Sequence, residues 1–267
     1  MAKIVWIASY PKSGNTWLRF LLAGLLLRKI ESSAQVARQI PDIHDGIAGA
    51  HLFGKQTTLI KTHWKFWTGL PLREDTIGVL YLLRHPVDVL ESNQNYALQR
   101  SGNLRREATP DEVAKLANRI VEEYIAAGGY PRFREFGIGS WEEHVRSWTF
   151  SGIAFPRLLV KYEDLQADPA STLEKICRFL QLKRSDEQIR QAATGASKEA
   201  MRRLEDAEIE GHINGMFYQS RNEPGLAAGH RFVGRSSSGD SLFKLTEDQR
   251  RRARERFLPF MREFGYE

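Results

Sequence analysis

Ile4-Val5-Trp6-Ile7-Ala8-Ser9-Tyr10-Pro11-Lys12-Ser13-Gly14-Asn15-Thr16-Trp17 is the stretch on which the fold turns. Five apolar residues, Ile4–Ala8, read as a strand buried on both faces, and Thr16–Ile30 carries helical spacing. The loop between them holds Lys12, Ser13 and Gly14. A strand that enters a helix through such a loop presents the helix's first N–H groups, and the positive end of its dipole, to an anion.

Three more short apolar segments, Thr58–Lys61, Ile77–Leu83 and Arg157–Tyr162, read as buried strands. Helical spacing recurs in Val87–Gln99, Asp111–Ala127, Trp141–Ser151, Pro169–Leu180 and Thr246–Phe264. Thr109-Pro110-Asp111-Glu112 and Thr246-Glu247-Asp248 are capped helix starts. The alternation predicts an α/β fold, one domain over residues 1–267 with a central parallel sheet flanked by helices. Gln99–Thr109, Gly128–Ser140 and Glu210–Asp240 lack periodicity, so flexible loops are expected near 99–140 and 210–240.

Composition removes several classes of function. The 267 residues are 42% hydrophobic, enough to fill a core. The 39 Lys and Arg exceed the 33 Asp and Glu by six, too small an excess for a nucleic-acid binder. Arg250, Arg251, Arg252 and Arg254, interleaved with Glu247, Asp248 and Glu255, read as a solvated helix face. Phe20–Leu27, the longest apolar run, is too short to cross a bilayer, and no membrane partner is expected. Cys177 is the sole cysteine, so no intramolecular disulfide can form and a reducing, cytoplasmic setting is expected.

Lys12 precedes the glycine instead of following it, so the loop is not a Walker A sequence; the near-match Gly49–Gln56 lacks the terminal hydroxyl and a preceding strand. The second strand ends in Lys61-Thr62-His63, where two residues of one strand separated by a single position share a side. Ligands of open parallel sheets bind at strand carboxyl ends, which makes His63 a candidate general base. Arg84 closes the third strand, and Ser92 falls about two turns into the next helix. From the residues alone, a group-transfer enzyme, a P-loop-type kinase and a non-catalytic anion-binding module all stay open.

Tyr10-Pro11-Lys12-Ser13-Gly14-Asn15-Thr16-Trp17 resembles the phosphosulfate-binding loop of the cytosolic sulfotransferases that use 3′-phosphoadenosine 5′-phosphosulfate (PAPS). Lys61-Thr62-His63 and the pair Arg84 and Ser92 are similar to further motifs of that family, as are Gly139–Val145, Val160–Leu165 and Ala196–Met201. The resemblance implies a P-loop-NTPase-like sulfotransferase fold and transfer of a sulfuryl group to a hydroxyl or amine, with 3′,5′-bisphosphoadenosine (PAP) released and no metal required. It implies catalytic roles for His63, Lys12, Lys61 and Ser92. Donor binding would fall to Lys12, Ser13, Gly14, Asn15, Thr16, Trp17, Arg84, Ser92, Tyr162 and Arg235. Around Arg235 the chain departs from the family pattern: Gly234 replaces a basic residue, Ser236 a glycine and Ser241 a tryptophan. A small, hydrophobic or aromatic acceptor is expected, with Phe66, Trp67, Tyr130, Phe133, Phe217 and Tyr218 as candidate pocket residues.

Overall fold

A computed structural model describes residues 3–27, 29–46, 57–100, 109–149, 152, 154–219, 231–233 and 244–266. Arg235, the near-match at 49–56 and much of the expected loops lie outside them. Four strands form one sheet: β1 (Lys3–Ser9), β2 (Thr57–Thr62), β3 (Thr76–Leu83) and β4 (Arg157–Lys161), in the order β2-β1-β3-β4. Every pairing is parallel.

Strand alternation divides the core in two. Ile4, Trp6 and Ala8 of β1 and Val79, Tyr81 and Leu83 of β3 face α3 (Pro86–Arg100), α4 (Pro110–Ala127), α5 (Trp141–Thr149) and the last helix. Val5, Ile7, Leu80 and Leu82 face the other layer, built from α1 (Asn15–Leu26), α2 (Ser33–Gln39), α6 (Tyr162–Ala167), α7 (Pro169–Phe179), α8 (Asp186–Gly195) and α9 (Lys198–Glu210). The last helix, α10, spans Glu247–Glu263. Trp6, Trp141 and Trp148 are completely buried and are the largest side chains in the first layer.

Several expected boundaries shift. β4 is an edge strand with only Val160 buried, not a strand covered on both faces. Tyr162 opens α6 instead of closing β4, with Lys161 in the extended N-cap position. α1 stops at Leu26, because Leu27 is extended (φ −111°, ψ 147°). Short α2 and polar α8 and α9 have no counterpart among the expected helices. Within the expected loop at Gly128–Ser140, Pro131–Arg134 forms a 3-10 turn, and the Tyr130 N–H donates to the Tyr10 hydroxyl at 3.1 Å.

α10 is less solvated than its charge pattern suggests. Arg251 pairs within the helix with Asp248 and Glu255, but Arg252 reaches Glu122 of α4 and Arg250 reaches Glu91 of α3. The helix begins with a reciprocal capping box between Thr246 and Gln249. Thr246→Ala is expected to cost about 1 kcal/mol and to lower the melting temperature by about 2–4 °C in a thermal unfolding scan; an unchanged midpoint would show that the cap adds nothing.

Candidate active site

The strand register assembles the site. Ala8 pairs with Thr62 and Leu83 with Lys161, so the next residues, Ser9 beside His63 and Arg84 beside Tyr162, emerge as neighbours at the sheet's carboxyl edge. Both neighbour pairs are in contact. The His63 Nδ1 lies 2.7 Å from the Ser9 carbonyl oxygen, and the Arg84 guanidinium sits 4.4 Å from the centre of the Tyr162 ring.

After β1 the chain passes Lys12 in the left-handed region (φ 71°), unusual for a residue with a Cβ, and Gly14 in the same region (φ 94°). A Cβ on Gly14 would lie 2.6 Å from the Tyr162 ring, so this glycine is required both by its backbone and by that ring's close approach. Gly14 provides α1 with no side-chain cap, and no acidic residue occupies the first turn. The first amides of α1 therefore face outward with the positive dipole end behind them.

Two cations converge here. The Arg84 Nη1 donates to the Lys12 carbonyl oxygen at 3.0 Å, and the Lys12 ammonium rests 4.6 Å above the Tyr96 ring. Burial, with the Arg84 charge adding to it, lowers the Lys12 pKa from 10.5 to about 8. Among the described residues neither cation has a carboxylate partner, and the buried Ser13 Oγ and Arg84 Nε have no hydrogen-bond partner. Unsatisfied buried donors beside uncompensated positive charge suit the phosphate groups of a nucleotide.

The surroundings of His63 are equally defined. A carbonyl only accepts, so His63 carries its proton on Nδ1 and leaves Nε2 unprotonated, with no hydrogen-bond partner among the described residues. Burial first, and the Lys61 charge second, hold the His63 pKa well below 6.5, keeping the ring neutral at physiological pH. The Asn15 Nδ2 donates to the Ser9 Oγ at 3.0 Å and to the Ile7 carbonyl at 3.3 Å. Its side chain thus braces the end of β1 and does not point outward with Ser13.

Other expected site residues have different surroundings. Lys61 shares the outer side of β2 with His63, but its ammonium is paired with Asp42 at 2.6 Å in a buried bridge. Its charge is already matched and is not gathered with Lys12 and Arg84. Thr16 is half-buried in the first turn of α1. Ser92 is half-buried on α3, and besides Tyr96 under Lys12 that helix reaches the loop through Asn93, whose Nδ2 donates to the Pro11 carbonyl at 3.4 Å. Trp17 meets Tyr162 edge-to-face at 5.7 Å and donates its indole N–H to Ala196 at 2.9 Å, bringing three of the expected nucleotide segments together. Of the candidate pocket aromatics, Phe217 stacks on Phe20 in the core and Tyr218 is buried, whereas Trp67 is exposed and meets Trp64 at 5.6 Å.

Sequence reasoning passed over Asp42, His44 and the individual role of His144. His144 is fully buried, its Nε2 3.0 Å from the His63 carbonyl oxygen and its Nδ1 2.8 Å from the Tyr81 hydroxyl. Since the carbonyl must accept, Nε2 donates and Nδ1 accepts from Tyr81.

A parallel α/β sheet with an open, cation-lined loop after its first strand offers a cradle suited to an anion at its carboxyl edge. The family follows from comparison: a model described as the sulfotransferase domain matches residues 3–265, and the chain belongs to that family. Sulfotransferase 1B1 of the dog, Canis lupus familiaris, is 27% identical over 198 residues, covering 68% of this chain and 60% of the relative. The chain thus spans less than two thirds of that relative's length. Amine sulfotransferase of the rabbit, Oryctolagus cuniculus, is 23% identical over 268 residues, covering 97% of this chain and 81% of its own. The crystal structure of mouse sulfotransferase SULT7A1 complexed with PAP shares the fold, with a TM-score of 0.63 at 19% identity over 97% of this chain and 84% of that one.

Burial lowers the His144 pKa from 6.5 to about 3. The unfolded chain takes up this proton below about 6.5 while the folded one does not, so this part of the stability is complete above that pH and is lost as pH falls. By pH 5 the loss from His144 amounts to about 2 kcal/mol. The melting temperature is expected to drop between pH 7 and pH 5; a flat profile would contradict a neutral buried imidazole.

Proposed function

We propose that the protein transfers the sulfuryl group of PAPS to a hydroxyl or amine of a small-molecule acceptor, with His63 as general base. One observation carries this reading. A neutral imidazole at the end of β2, its Nε2 unprotonated, is hydrogen-bonded to the last residue of β1, whose next residues form an open, positively charged loop.

The donor fits the residues present. Ser13, the first amides of α1, Lys12 and Arg84 would hold its phosphates, and Trp17 and Tyr162 offer ring faces for the purine. When bound, it supplies a sulfuryl group whose bridging bond to the 5′-phosphate breaks as the acceptor's bond to sulfur forms. His63 accepts the acceptor's proton at Nε2, and Lys12 stands where negative charge grows on the departing phosphate oxygen. Lys61 is held by Asp42 and has no direct part in this step, and Ser92 and Arg235 are candidate donor contacts by family resemblance alone. The exposed Trp67 and half-buried Trp64 offer an apolar wall beside His63 for an aromatic or hydrophobic acceptor. The buried, free Cys177 suits a reducing, cytoplasmic setting.

His63→Ala is expected to reduce transfer of labelled sulfate from PAPS by about 10²–10⁴-fold while leaving PAP binding within about twofold. Turnover unaffected by this change would remove His63 from the mechanism; absence of transfer by the unaltered protein to any of a panel of phenols, alcohols, amines and sugars would favour a binding protein.

A second expectation concerns protons. The Lys12 pKa of about 8 should rise when a phosphate dianion settles against it, so PAP binding at pH 8 to 9 takes up a proton and affinity falls as pH rises through that range. Calorimetry in buffers of different ionisation enthalpy reads the uptake directly. Binding enthalpies independent of buffer would show that Lys12 does not face the phosphates.

A further inference from the structure

β2 lies at the sheet's edge, with β1 on one side and no regular strand on the other among the described residues. Along its open side the N–H groups of Lys61 and His63 point the same way, since alternate residues of a strand share a direction. The segment before the short 3-10 turn Ile43–Asp45 runs beside this edge. The Pro41 carbonyl accepts from the Lys61 N–H at 2.8 Å, as one rung of a parallel ladder. The next rung cannot be a carbonyl, because the chain leaves the edge at Asp42 to enter the 3-10 turn, which Asp42 caps by accepting from the His44 N–H at 3.0 Å. In place of that carbonyl stands a side chain. The His44 Nε2 accepts from the His63 N–H at 2.9 Å.

Three other groups fix His44 in this position. Asp42, which caps the turn with one carboxylate oxygen, binds Lys61 with the other, so the turn is anchored to β2 two residues before His63. The His44 ring also packs edge-to-face on Trp64 at 4.7 Å, immediately after His63. An acceptor at Nε2 requires that nitrogen to be unprotonated, and burial lowers the His44 pKa, in keeping with the observed bond.

Resting on the assignment of His63 as base, we propose that His44 is a positioning residue: its Nε2 supplies the last rung of the β2 edge and holds the peptide from which the base projects. The His63 ring is held by Ser9 and its carbonyl by His144; His44 holds its amide, the remaining backbone group. Without that acceptor the end of β2 frays, and small displacements of a reacting group carry large rate penalties.

The test compares His44→Ala with His44→Gln, whose side-chain oxygen can still accept. His44→Ala is expected to lower kcat about tenfold with KM for PAPS unchanged within about twofold, and His44→Gln to recover most of the rate. Hydrogen exchange at the His63 amide should accelerate in the first variant and remain slow in the second. An unchanged kcat in His44→Ala, or equal losses in both variants, would overturn the proposal. Should His44→Ala fail to fold, NMR of the unaltered protein decides: a nitrogen–nitrogen coupling across the bond from the His63 amide to the His44 Nε2 supports it, and none sinks it. The exchange and coupling measurements do not depend on what His63 does, so failure of the base assignment, read from His63→Ala, is distinguishable from failure of this one.

Discussion

The parallel register of the sheet, β1 against β2 and β3 against β4, is the constraint on which the candidate site depends. Ser9 beside His63 and Arg84 beside Tyr162 are not brought together by side-chain preference. They are the first positions past the last paired rungs of β1 with β2 and of β3 with β4, so backbone hydrogen bonds spread over the sheet determine where they emerge. A one-residue slip of β2 would move His63 away from the Ser9 carbonyl and also turn Leu59 and Ile60 each toward the opposite layer of the core. Packing in both hydrophobic layers therefore enforces the geometry of the candidate site.

Charge divides along the same edge. Lys61 is satisfied by Asp42 within the fold, whereas Lys12 and Arg84 stand together without a carboxylate among the described residues. Two uncompensated cations in poorly solvated surroundings oppose folding, and Tyr96 and Tyr162 offset that only through the weak attraction of ring faces for positive charge. The left-handed backbone at Lys12 adds local strain. An anionic ligand at this place would relieve the repulsion, and its affinity would be drawn in part from that relief.

Much of this was legible in the sequence, for physical reasons that differ by element. β1 and β3 are covered on both faces, so their uninterrupted apolar runs announce them; β4, exposed at the edge, is announced only by Leu158, Leu159 and Val160. The phosphate loop is local, and so is its signal: strand, Lys12, Gly14 and helix fall within a few residues of one another. What escaped is mostly contact between distant segments. Alternation correctly places Lys61 and His63 on one side of β2, but that side meets Asp42 and His44, about twenty residues away in the chain, and no local pattern discloses such a partner. Polar α8 and α9 were missed because they bury few residues each, so their periodicity is faint.

The hydrogen bond from His63 to the Ser9 carbonyl has a final consequence. Ser9 is covalently joined, through Tyr10 and Pro11, to the loop that begins at Lys12. The separation between proton acceptor and anion cradle is thus measured out along three peptide units of a single chain. A ruler of that kind keeps its length whatever is built around it. On the function proposed above, the loops facing the acceptor can be lengthened, shortened or exchanged without recalibrating the reaction centre, which is the freedom a lineage needs if it is to change what it modifies while keeping how it does so.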